Sequence, residues 1–444
     1  MKRSILVVTV LMACQAAPPE HYAFVTTLGR DTVAAENVSK SGRRLVADGV
    51  DRWPFVRMRH SEFDLDGSGK LRHMVMQVQT PNGDTPAHRG RTVTADFSGD
   101  RVRISVRDSA GVRDTAFNTG GAITVPHVSM MYSVIEQEIA AALRQRGASA
   151  IDTIPFRQFY PDRDVGRSFA LHHGIVRPQG NGKVELTHDW LSGAGDVVVD
   201  SAGRMLSYDG SRSTYQVKVA RVAPIPDLGP LIQRMTADEQ RTGPRQLSVR
   251  DTTRATIGAA TFLVDYSRPL VRGRTLLGEV IPYGYVWRTG ANAATQFTTS
   301  QPIVLAGLQL AAGTYTLWTV PRKDRVEFIV NTQTGQWGTG YDHSKDLGHA
   351  VMNTETRADT VEAFTIAIEP VDARRGTLAL SWGNLPMDGT HRGEVSRSRS
   401  ALMRTSSGRA ARGCPLARRG GDARTVRARP DLGGTGRSPW PPGQ

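Results

Sequence analysis

From residue 22 to residue 120, apolar and polar positions alternate between turns of Gly, Asp and Asn, with clear runs at 71–78, 93–97 and 101–106. A period of two turns one face of each run to a core and the other to water, so these are strands of a half-buried antiparallel sheet. The period then changes. Val128, Met131, Ile135, Ile139 and Leu143 recur at three- and four-residue spacing, which predicts one amphipathic helix of about five turns. Alternation resumes at 168–176, 184–187, 195–199, 205–208 and 213–219. Residues 20–222 are therefore expected to form a curved antiparallel sheet with one helix packed on it.

Residues 223–246 break the pattern with Pro224, Pro226, Pro230 and Gly243-Pro244. They read as a linker with a short helix around 231–235. Strand-like runs return at 260–266, 294–299, 303–310, 313–320, 325–331, 363–370 and 376–382. Short strands at this spacing, joined by Gly-rich turns, predict a β-sandwich over 247–387. The fold class expected for the whole chain is mainly β. In the order of its elements the first body resembles the curved half-barrels of bacterial lipoprotein carriers, which cradle acyl chains. That likeness implies a lipid or small-molecule ligand.

The second body carries ordered motifs. Val264-Asp265-Tyr266-Ser267-Arg268-Pro269 is followed by Arg272-Gly273-Arg274, Pro282-Tyr283-Gly284 and Val286-Trp287-Arg288-Thr289-Gly290-Ala291-Asn292. Thr295, Ala312-Gly313-Thr314-Tyr315-Thr316-Leu317, Asn331 and Gln336-Trp337-Gly338 complete the set. Together they resemble the bacterial domain-of-unknown-function family 2911 over roughly residues 248–385. The resemblance implies an exported β-sandwich and no particular reaction. It also implies a closing strand of alternating Val and Ile after Trp382. Here Asp388-Gly389-Thr390-His391 opens an Arg-, Gly-, Ser- and Pro-rich stretch instead, so 388–444 is expected to be a disordered tail.

Charge sharpens that division. The chain has 444 residues and a formal net charge of +14. Residues 391–444 alone carry 12 Arg against 3 acids, leaving +5 for everything before them. A basic tail says little about what the folded part binds, and no nucleic-acid partner is expected.

At the other end, Lys2 and Arg3 precede an apolar run and then Leu11-Met12-Ala13-Cys14. A short basic segment, a short apolar segment and a small residue before the break have the form of an export signal. The last four residues resemble a bacterial lipobox, which implies that 1–13 are removed and that Cys14 carries the lipid. Gln15, rather than Asp, implies an outer-membrane address facing the periplasm. No run reaches the roughly 20 apolar residues of a spanning helix. Contact with a membrane is expected through the anchor.

Several groupings have the right residue types for chemistry. Asp64-Leu65-Asp66-Gly67-Ser68-Gly69-Lys70 imitates the start of a calcium loop, yet Val75 stands where a bidentate Glu is needed, so a hairpin turn is expected. Asp342, His343, Asp346 and His349 fall within eight residues and read as a solvated loop rather than a metal site. His172, His173 and His188 lack ligand spacing and are expected on strands, exposed or stacked. Neither Gly-x-Ser-x-Gly nor His-Glu-x-x-His occurs, and no phosphate-cradling or dinucleotide fingerprint follows a strand. No cofactor is expected.

Between residues 266 and 292, arginines interleave with aromatic residues. Guanidinium forks beside aromatic faces suit a carboxylate, phosphate or sugar. The candidate ligand-binding residues are Arg268, Arg272, Tyr283, Trp287, Arg288, Asn292 and Trp337. The competing expectation is structural: Trp287 and Tyr283 fill the sandwich while Arg288 closes on Asp265 or a loop carbonyl. The function expected is that of an exported, lipid-anchored protein that binds an envelope ligand or partner. The alternative is an envelope hydrolase with its site between the two bodies.

Overall fold

The computed structural model describes residues 18–85, 88–146, 153–160, 171–188, 191–355, 359–383 and 390–397. Cys14, the start of the strand expected at 168–176, and positions 398–444 of the basic tail lie outside them.

The chain begins with a meander of eight strands: β1 (Glu20–Leu28), β2 (Asp31–Ser41), β3 (Arg44–Arg52), β4 (Val56–Leu65), β5 (Leu71–Gln79), β6 (Arg91–Ser98), β7 (Arg101–Asp108) and β8 (Gly111–Asn118). Each pairs antiparallel with the next. The short β9 (Ile123–Pro126) leads into the helix α1 (Tyr132–Arg146). A second meander follows: β10 (Ile154–Phe159), β11 (His172–Gly180), β12 (Lys183–His188), β13 (Leu191–Val199), β14 (Met205–Asp209) and β15 (Lys218–Val222). β15 pairs with β1, so the two meanders fuse into one 15-stranded sheet among the described residues, with β8 and β9 as its edges. Every pairing is antiparallel except β9 with β10.

The two edge strands are neighbours in sequence. Asn118 and Ile123 are five residues apart, which limits the gap between the edges to about 18 Å. The sheet must therefore curl until its edges face each other. Its inner face carries the buried half of each alternating strand, including Phe24, Leu45, Met74, Met76, Ile104 and Phe156. α1 fills the enclosed space, where residues 132–142 are all buried, polar ones included.

The expected linker is folded onto the first body. Its helix α2 (Gly229–Thr242) is longer than the short helix expected and sets Met235 against Val50 and Val56 on the outer face of β3 and β4. Glu239 accepts the Val56 backbone N–H and an Asn82 side-chain N–H (3.1 Å), and Arg52 donates to Thr242 Oγ1 and the Gly243 carbonyl (2.7 and 2.9 Å).

The second body is two facing layers. One contains β16 (Ser248–Ile257), β17 (Ala260–Pro269), β18 (Thr295–Thr299), β21 (Gly313–Pro321), β22 (Val326–Asn331) and β23 (Asp346–Glu355) in that order. The other contains β24 (Val361–Pro370), β25 (Arg375–Gly383), β26 (Thr390–Arg397) and the hairpin β19 (Ile303–Leu305) with β20 (Leu308–Leu310). The single strand expected over 303–310 is divided because Ala306 and Gly307 both adopt left-handed φ, 49° and 89°, and reverse the chain. Between the layers lie Phe262, Tyr266, Phe297, Phe328, Phe364 and Trp382 with their neighbours.

β26 corrects the expectation of disorder for residues 390–397. It pairs with β25 from Thr390 to Ser396 and also with β19 and β23, so it joins the two layers. Val395 is fully buried. Backbone pairing on both sides holds a segment whose side chains gave little sign of a strand.

Candidate functional site

The loop between β17 and β18 holds most of the arginine and aromatic candidates, and the structure divides them into two groups. Arg268 is consumed structurally. Its Nε donates to the Phe364 carbonyl (3.0 Å), Nη1 to Asp251 (3.1 Å) and Nη2 to Thr365 Oγ1 (2.9 Å), pinning β17 to β16 and β24. Arg272 points to the first body, where Nη1 donates to Asp31, while its own backbone N–H donates to Glu362 (2.9 Å). Trp287 stacks parallel to Trp382, with ring centres 5.5 Å apart, and meets Phe364 edge-on at 5.1 Å. It belongs to the sandwich core, as the structural reading required. Tyr283 does not fill the core: it is exposed and lies over Gly278.

Arg288, Asn292 and the segment bearing Trp337 do come together. The chain turns back at Thr289 and Asn292, both in the left-handed region with φ 50° and 61°. A β-branched residue is strained there, and Thr289 is held by burial and by hydrogen bonds of its hydroxyl and its carbonyl. Its hydroxyl donates to Thr319 Oγ1 (3.3 Å), and its carbonyl accepts from Thr295 Oγ1 (2.7 Å). Residues 336–338 then run beside 292–294: Ala294 N–H donates to the Gln336 carbonyl (3.2 Å) and Gly338 N–H to the Asn292 carbonyl (2.9 Å). Arg288 crosses Gly338 so closely that a Cβ at 338 would lie 2.1 Å from its Cδ.

The hydrogen bond of the Arg288 guanidinium goes from Nη1 to the Asn292 carbonyl, at 3.3 Å. Asp265, one expected partner, is taken by Arg250 at 2.5 Å. Among the described residues no carboxylate pairs with Arg288, and burial pushes its pKa down to about 10. Arg288 is half-buried, and a guanidinium whose one hydrogen bond goes to a carbonyl keeps donors free for an incoming anion. Close by, Gln336 donates to Thr316 Oγ1 (3.2 Å), and its side-chain oxygen is buried with no donor. Sequence reasoning missed Gln336 as more than a motif letter. The hint available was its place beside Trp337-Gly338.

The other groupings are engaged in local structure. Asp66 accepts from Ser68 N–H, Ser68 Oγ and Lys70 N–H, which makes the hairpin turn that was expected. Asp342 caps a short helical turn by accepting from Ser344, and Asp346 accepts from Asn331, Tyr341 and His349. His349 is on β23 rather than in a loop. His188 is buried, bonded through Nδ1 to Gln158 Oε1 (2.8 Å) and edge-on to Phe156. No cluster of three or more metal-type ligands occurs among the described residues.

Residues 248–388 match the family model described as Protein of unknown function (DUF2911). No curated protein matches the chain. Among solved structures, a DUF1089-family protein from Pseudomonas aeruginosa is 11% identical and covers 47% of this chain and 97% of its own, with a TM-score of 0.30. The isotype 1 transferrin-binding protein B from serogroup B Neisseria meningitidis is 7% identical, covers 83% of this chain and 66% of its own, and has a TM-score of 0.12.

Proposed function

We propose that the protein is exported, is held at a membrane by a lipid on Cys14, and binds an envelope ligand through an anionic group received by Arg288. One observation carries the binding reading: Arg288 is half-buried, no carboxylate among the described residues pairs with its guanidinium, and its planar fork suits a carboxylate or phosphate. The surrounding backbone is strained and tightly braced, which fixes the base of the Arg288 side chain before any ligand arrives.

Native mass spectrometry of the delipidated protein is expected to find a retained anionic compound. Arg288→Lys keeps the charge and loses the fork, so binding should weaken by about tenfold or more, the equivalent of one or two charge-assisted hydrogen bonds. Folding, followed by thermal denaturation, should be nearly unchanged. Full-strength binding by the lysine variant, or a parent that retains no anion, counts against the reading.

Membrane attachment has its own test. Cys14→Ser should leave the protein soluble or unprocessed after cell fractionation, since only the thiol forms the thioether. Normal processing together with membrane retention of that variant would show that the anchor lies elsewhere.

A further inference from the structure

The contact between the two bodies is crowded with positive charge. Arg272 is buried and donates through Nη1 to Asp31 at the start of β2. Arg245, just after α2, donates through Nη2 to the same carboxylate (2.9 Å). Arg274 reaches Gln216 Oε1 (3.1 Å) and the Leu270 and Val271 carbonyls (2.6 and 3.0 Å), and it has no carboxylate partner. Arg30 sits 3.8 Å from Glu362, and Arg52 sits 3.9 Å from Asp238. Among the described residues five guanidiniums thus face three carboxylates.

The crowding is felt at individual groups. Burial and then the neighbouring Arg272 hold Arg274 down at about pKa 10. Burial, Arg272 and Arg52 lower Arg245 against the opposing pull of Asp31. A joint meant only to hold two bodies together gains nothing from unbalanced like charge, which costs free energy as water is removed.

The geometry also leaves donors over. Arg245 and Arg272 each use one terminal nitrogen on Asp31. The Nε and second terminal nitrogen of both carry no hydrogen bond, and none of these atoms is sealed from solvent. Asp31 itself keeps 32% of its side chain exposed. The backbone on both sides is fixed: Arg272 has φ 53°, its carbonyl accepts from Arg30 N–H (3.1 Å), and a Cβ on Gly29 would lie 2.3 Å from that oxygen. Two guanidiniums that meet at one carboxylate oxygen, on a rigid frame and with donors to spare, suit a tetrahedral oxyanion with several acceptor oxygens.

We propose that the joint between the two bodies, framed by Arg245 and Arg272 around Asp31, binds a phosphate-like oxyanion. The anion supplies the negative charge the joint lacks and bridges the bodies. The site is separate from Arg288, so either can fail without the other.

Thermal denaturation of the full chain tests it, with inorganic phosphate or glycerol phosphate added against chloride at equal ionic strength. A saturable rise in melting temperature with phosphate and none with chloride is expected, and a rise that depends on Arg245 should persist in the Arg288→Lys background. Tighter binding of glycerol phosphate would identify a phosphorylated headgroup as the source, and equal binding would identify the free ion. Arg245→Gln should weaken the apparent phosphate affinity at least tenfold. Asp31→Asn separates an anion site from a structural ion pair. It removes the competing carboxylate, so phosphate should bind several-fold more tightly and restore stability lost without it. If phosphate and chloride act alike on both the parent and Asp31→Asn, the proposal is overturned, and the joint is an ion-paired contact alone.

Discussion

A chain ended at Gly389 should lose cooperative unfolding of its C-terminal body, whereas one ended at Arg397 should keep it. The two differ only by the strand 390–397. That strand pairs with β25 from Arg375↔Ser396 to Ser381↔Thr390, with β19 at three positions and with β23 at three more. Removing it exposes the inner edges of both layers and opens the core at Val395, whose burial alone contributes roughly 1.5–3 kcal/mol. Backbone groups on β25 and β19 would also lose their partners at the centre of the body rather than at a solvated rim. A domain with a net stability of about 5–15 kcal/mol does not survive that combined loss. Near-ultraviolet circular dichroism of the stacked Trp287–Trp382 pair reports on the event directly. Val395→Asp in the full chain should reproduce the effect, because it buries a charge with no partner. Equal melting of the two shortened chains would mean that β26 is not integral to the body.

This strand marks where sequence reading fails and why. Strands with one buried and one wet face announce themselves by period, as 71–78 and 101–106 did. In 390–397 the buried apolar residue is Val395, set among Arg, Glu, Gly and Ser. The strand is held by hydrogen bonds that any residue but proline can make, and composition is blind to those. β23 was hidden similarly, because its Asp346 and His349 suggested a polar loop. The curl of the first sheet depends on β1 meeting β15 across nearly two hundred residues, a pairing no local pattern encodes. At the candidate site, the motif letters were legible and their roles were not. Arg268, Arg272 and Arg288 look alike in sequence. Only the fold shows that the first two have carboxylate partners and the third does not. The helix gave a related half-truth. Of the five apolar positions expected on it, Ile135, Ile139 and Leu143 lie on α1, whereas Val128 and Met131 precede it; its acidic residues would ordinarily be assigned to water, and the curled sheet buries them.

One of those acids should make stability depend on pH in an unusual direction. Glu138 on α1 has no exposed surface; Gln158 Nε2 donates to its Oε2 at 3.1 Å, and its Oε1 has no partner. Burial, opposed only by the Gln158 hydrogen bond, raises its pKa well above the ordinary carboxyl value. The contrast is Glu136, two residues earlier. Burial raises it as well, but Tyr22 OH (2.5 Å), Arg221 (2.7 Å) and the Met205 N–H (3.0 Å) oppose the shift by favouring the ionised form. Because folded Glu138 keeps its proton longer than the unfolded chain does, its contribution is fully present below the unfolded pKa of about 4.3 and declines as pH rises toward the folded value. The limiting slope is about 1.4 kcal/mol per pH unit for one proton. Glu138→Gln has nearly the same shape and no charge to lose. It should therefore match the parent near pH 4 and gain on it steadily with rising pH. Glu136→Gln should instead destabilise, since it strips a buried partner from Arg221 and Tyr22. Urea unfolding from pH 5 to pH 9 gives the difference between parent and variant at each pH, which cancels the opposite trend of the exposed carboxylates. A difference that stays flat across that range would mean that Glu138 is not a buried neutral acid, and that the interior beside α1 is open enough to solvate its charge.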